Sequence, residues 1–195
     1  MEYKEKNVKK SFLQVDEGKE MVLYHAANGY RNTCLLFIAL PNLFGSSSIL
    51  FSNMIVNGMF GIELYLKFLC VHDHVENIPK NHNIEELFSK KLIESRQKQV
   101  LLYLSEKQIS KCEFVSFLKQ HKLDFMAYRY PICDDKYSTE IRCIVYLLEA
   151  LKEMSDKIAR TDIQPKKLPE FSGKINEDVI EIARSEVELF DFNMR

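Results

Sequence analysis

The chain has 195 residues, 46% of them hydrophobic and 28% charged, with a formal net charge of -1. That length suits one domain with a substantial core, and the charge balance excludes a global pull toward nucleic acid or anionic membrane, so a nucleic-acid site has to be a local patch. Five cysteines, an odd number with no C-x-x-C pair, argue against a disulfide framework and for reduced thiols in a cytoplasmic protein.

The opening MEYKEKNVKKSF mixes both signs and has no apolar run behind its basic residues, so no secretory signal is expected. A first helix is predicted from about Asp16 to Leu40. PNLFGSSS is the connection, with one of Ser46 to Ser48 as N-cap. The stretch LLFIALPNLFGSSSILFSNMIV is the strongest membrane candidate. It carries Pro41, two asparagines, Gly45 and three serines, which hydrocarbon does not accommodate, so two buried helices and no membrane span are expected. The second helix, from about Ile49 to Val71, is apolar on nearly all sides and belongs in the centre of a bundle.

After the polar loop DHVENIPKNHN, Asn83 and Glu86 have the spacing of an N-cap and its N3 partner. Ile84, Leu87, Phe88 and Leu92 supply the stripe of the helix they open. Ser110 to Glu113 form a capping box by type and spacing, followed by Phe114, Phe117, Leu118 and His121. Tyr137, Ile141, Ile144, Val145, Leu148, Leu151 and Ile158 mark the clearest amphipathic helix. RTDIQPKKLPEFSGK then reads as a linker or arm, and a last short helix runs from about Asn176 to Phe190. The expected architecture is all-α: an antiparallel helical bundle over residues 1–160, with an arm and C-terminal helix over 161–195 packed on the bundle or swapped from it.

From Asn32 to Val71 the only acidic or basic side chains are Glu63 and Lys67, in FGIELYLKFL. At i and i+4, with the glutamate first, they are well ordered for an ion pair. The simpler reading is a modest surface or semi-buried salt bridge on the one wet strip of the central helix; the alternative is a polar site between helices, because buried charges must be paired. His82 precedes a helix start, where its side chain can point back into the bundle. In AYRYP, Arg129 lies between two tyrosines and Pro131 ends the segment, as for a guanidinium fixed at a helix terminus. Cys70, His72, His74 and His82 are of zinc-binding type, but C-x-H-x-H is no standard spacing, and no metal or other cofactor is expected. Lys90, Lys91, Arg96 and Lys98 follow closely enough to line an RNA-facing edge, but the simpler reading is a solvated face diluted by nearby acids. No G-x-S-x-G, P-loop or dinucleotide fingerprint is present.

GIELYLKFL, NHNIEELF and FMAYRYPI, in that order, resemble the HEPN superfamily over roughly residues 49–151. The resemblance implies a compact helical bundle, and in many members a metal-independent ribonuclease of toxin–antitoxin, phage-defence or RNA-processing systems, built from Arg, four to six residues, then His, across a dimer. In that chemistry histidine handles protons and arginine steadies phosphate charge. Here no histidine follows an arginine at that spacing, and the positions after Arg129 hold Cys133, Asp134, Asp135 and Lys136. The chain is closer to members that serve as binding or assembly modules. The expectation is therefore a non-catalytic module for RNA, a nucleotide-like ligand or a partner protein, able to form a homodimer. Its polar groove would be lined by Glu63, Lys67, His82, Arg129 and Tyr130. A divergent endoribonuclease and a purely structural helical domain are the alternatives.

Overall fold

The computed structural model describes residues 20–39, 48–121 and 141–162, with side chains described for 20–39, 52–121 and 141–159. The described residues form six helices and no strand, an all-α bundle. They are α1 (Glu20–Ala39), α2 (Ser48–His72), the short α3 (Ile84–Glu86) that widens into a π-helical turn (Leu87–Lys91), α4 (Glu94–Glu106), α5 (Lys111–Gln120) and α6 (Ile141–Asp162).

The expected position of α2 at the centre is what the structure has. Ile55, Ile62, Tyr65, Leu66, Phe68, Leu69 and Cys70 are fully enclosed. By length and composition Ser52–His72 could cross a membrane, yet 72% of its most apolar window is buried inside the fold. Its apolar character is satisfied by protein neighbours.

Two glycines set how closely the helices approach. A Cβ built on Gly58 would lie 2.5 Å from Ile144 Cγ2 and 3.1 Å from Cys34 Sγ, and one on Gly61 would lie 2.9 Å from Leu148 Cδ2 and 3.3 Å from the Arg31 backbone nitrogen. These contacts also give the directions. Gly58 faces Cys34 and Gly61 faces Arg31, so α1 runs antiparallel to α2. Gly58 faces Ile144 and Gly61 faces Leu148, so α6 runs in the same direction as α2. α4 then packs antiparallel on α6, with Tyr103 Oη donating to Glu149 Oε2 (3.0 Å) and Arg142 Nη2 to the Lys107 carbonyl (2.8 Å).

Local signals explain the shorter elements. Asn83 Oδ1 accepts from the Glu86 N–H, opening α3 as its spacing predicts. The capping box of α5 is complete: Glu113 N–H donates to Ser110 Oγ, and Ser110 N–H to Glu113 Oε2. Phe88 and Phe114 meet edge to face at 4.9 Å, which packs α5 beneath α3. The break between the π turn and α4 has no glycine or proline to announce it. Leu92 and Ile93 turn extended there, and Leu92 is buried. Arg96 fixes the start of α4 by a two-pronged bond to Asp73, with Nε to Oδ2 at 2.6 Å and Nη2 to Oδ1 at 2.7 Å.

Gly58→Ala should therefore lower stability by about 1–3 kcal/mol through overpacking against Ile144, although alanine is the better helix former. Gly29, with no neighbour within 4 Å of a built Cβ, should gain up to about 1 kcal/mol on substitution by alanine. Urea melts of the two variants beside the parent check the opposite signs.

Candidate functional site

Phe60, Glu63 and Lys67 fall on one face of α2, the face met by the loop that precedes α3. Glu63 is 3% exposed and Lys67 5%. The simpler reading of the pair, a salt bridge on a wet strip, is corrected here: this strip of α2 is covered by the Asn81–His82 turn, and the pair is the polar site between elements. Lys67 Nζ lies 2.5 Å from Glu63 Oε1 and donates to the Asn81 carbonyl at 3.3 Å. Glu63 Oε2 lies 2.7 Å from His82 Nδ1. One carboxylate thus holds an enclosed ammonium on one oxygen and an imidazole on the other. Two buried charges offset much of their desolvation cost only in such a hydrogen-bonded arrangement.

His82 is different from its partners. Its side chain is 54% exposed, so the cluster runs from the interior of α2 to the surface. A carboxylate can only accept, so the neutral imidazole carries its proton on Nδ1 and has its basic lone pair on Nε2. Beside it, Phe60 meets the imidazole edge-on at 5.9 Å, and Tyr30 of α1 stacks on Phe60 at 5.0 Å. Asn81 is positioned in turn by its own Oδ1, which accepts from the Asn83 N–H. The arrangement offers a fixed imidazole, an aromatic pair and a carboxylate–ammonium pair below them.

Of the five expected groove residues, the structure brings Glu63, Lys67 and His82 together, while Arg129 and Tyr130 lie outside the described residues. Tyr30, Phe60 and the Asn81 carbonyl complete the cluster and were not singled out by sequence. Phe60 had a signal, since it lies one turn before Glu63 on the same face. The Tyr30 contact depends on how α1 docks.

The other candidates resolve differently. Among the described residues no group of three or more His, Cys, Asp or Glu side chains could hold a metal. Cys70 is enclosed, and burial pushes its thiol up to about 12, with Asp73 adding to the shift. Cys34 is likewise raised to about 12 by burial, against the pull of Arg31. Neither is a thiolate at neutral pH, so neither is a nucleophile. The basic run is largely answered: Arg96 by Asp73, Lys98 by Glu94, and Lys91 by the Glu76 carbonyl. Phe114 and Phe117 are core residues, as their spacing predicts. No family model, curated protein or solved structure matches this chain.

Lys67→Met should cost about 3–5 kcal/mol, because it leaves Glu63 buried beside a half-exposed imidazole alone. The double variant Glu63→Met/Lys67→Met should recover most of that loss, since apolar replacement of a whole buried pair is often near neutral. Chemical denaturation of the single and double variants measures the difference.

Proposed function

We propose that this chain is a HEPN-like binding module that takes RNA or a nucleotide-like ligand where the Tyr30–Phe60 pair meets His82, and that it acts without catalysing a reaction. The observation that carries the reading is the bridging carboxylate of Glu63, which orients a half-exposed imidazole from a buried ion pair. An imidazole held this way offers its Nε2 lone pair as a directional acceptor for a base-edge N–H or a ribose hydroxyl. Adjacent aromatic faces suit a stacked base, since every base has a π-face and such stacking tolerates sequence. The ordered motifs from Glu63 through His82 to Arg129 support the HEPN-like assignment, and with it a toxin–antitoxin or phage-defence setting and a homodimer. Arg129 and Tyr130 belong to the groove in this reading.

A divergent metal-independent endoribonuclease is the second reading, and one observation favours it. A carboxylate-oriented histidine near the surface is what proton transfer requires. The missing Arg-to-His spacing weighs against it.

Both readings are tested with one labelled single-stranded oligoribonucleotide in EDTA. The binding reading expects a saturable anisotropy change with RNA that stays intact. His82→Ala should weaken binding about tenfold or more, while losing only about 0.5–1.5 kcal/mol of stability. Cleavage abolished by His82→Ala would transfer the assignment to the ribonuclease. No binding at high micromolar protein would remove RNA as the ligand of this site.

A further inference from the structure

Between Met21 and Ala39, α1 carries a single formal charge, Arg31, and that guanidinium is buried at 3% exposure. Its backbone nitrogen lies against Gly61 of α2, which also faces Leu148 of α6, and its charge reaches the buried Cys34 and Tyr65, so it sits in the layer where α1, α2 and α6 meet. Nη1 donates to Asn32 Oδ1 at 3.2 Å, and Nε is enclosed with no acceptor among the described residues. None of the ion pairs among the described residues involves it.

The carboxylate in this layer is committed elsewhere. Asp156 accepts from Tyr24 Oη at 2.8 Å on one oxygen and from Lys152 Nζ on the other. Tyr65 Oη donates to Asn28 Oδ1 at 2.8 Å. Burial raises the Tyr65 hydroxyl, with Arg31 opposing the shift and Asp156 and Tyr24 adding to it, so both charges lie within electrostatic reach of one buried group. Among the described residues the layer therefore holds two cations, Arg31 and Lys152, against one carboxylate. A second orphan, the enclosed hydroxyl of Ser155, neighbours Asp156 on α6. A desolvated cation left one negative charge short is costly unless something supplies that charge.

We propose that the layer between α1, α2 and α6 is a binding site for a monoanionic oxyanion, a carboxylate or phosphodiester group, received by Arg31. The charge count calls for one negative charge. The planar guanidinium fork pairs with two oxygens of either group. Asn28, Asn32, Lys152 and Asp156 are only half-buried, so the layer reaches the surface beside Arg31. This site is separate from the His82 cluster, and its test is independent of that reading.

The test is thermal melting of the full chain in acetate, dimethyl phosphate or chloride at matched ionic strength, for the parent, Arg31→Met and Arg31→Lys. A ligand that binds only the native state raises Tm in a saturable way. The parent should gain several degrees in acetate or dimethyl phosphate over chloride, and the two arms tell carboxylate from phosphodiester. Arg31→Met should melt at or above the parent in chloride and lose the oxyanion response, and Arg31→Lys should keep part of it. The proposal is overturned by equal melting in all three salts, by a full response in Arg31→Met, or by Arg31→Met melting well below the parent in chloride. Should that variant not fold, the parent's comparison with chloride decides alone.

Discussion

A helix enclosed on all sides cannot leave a charge unanswered, and α2 carries two. Glu63 and Lys67 can be buried only because each answers the other. Their remaining hydrogen-bonding capacity then dictates what covers them. Lys67 takes the Asn81 carbonyl and Glu63 takes His82, so the turn between α2 and α3 closes on this strip of α2. From there Asn83 opens α3, the π turn carries Phe88 onto Phe114, and Arg96 is drawn to Asp73. The candidate site is thus a consequence of how the bundle solves a burial problem, with His82 as the member that reaches water.

Polar groups cross this bundle at two levels, and they differ in how completely they are paired. On the His82 side Glu63 and Lys67 pair with each other and are completed by His82 and the Asn81 carbonyl. On the side where α1 and α6 meet, Asp156 serves Tyr24 and Lys152, and among the described residues Arg31 holds only an asparagine. Core polar groups that are fully paired fix geometry, whereas those left short are where an external group gains most by binding. Gly58 and Gly61 bring α1 and α6 close to α2 at the second of these levels.

Much of the fold was legible because local chemistry agrees with tertiary packing. The capping residues Asn83 and Ser110 carry their signal within four residues, and the stripe from Ile141 to Ile158 reports its buried face directly. The even apolar character of α2 forecast a central helix, and i,i+4 spacing forecast the Glu63–Lys67 pair. Burial of that pair was not legible, because nothing local says whether a loop 14 to 19 residues later folds back over it. The end of the π turn at Leu92–Ile93 was missed for a related reason: the chain breaks there to bury Leu92, with no glycine or proline to mark it. Arg31 was not singled out by sequence. Its isolation shows only once Asp156 is seen to be occupied by other partners.

The central claim is that Glu63 ties the interior ion pair to His82 and thereby fixes the imidazole. The most direct measurement is the tautomer of His82, read at pH 8 by nitrogen-15 correlation spectroscopy of the imidazole ring in the parent and in Glu63→Gln. The account predicts a proton on Nδ1 and a bare Nε2 in the parent, with that preference lost in the variant. An imidazole protonated on Nε2 in the parent, or one whose tautomer is indifferent to Glu63, would contradict it.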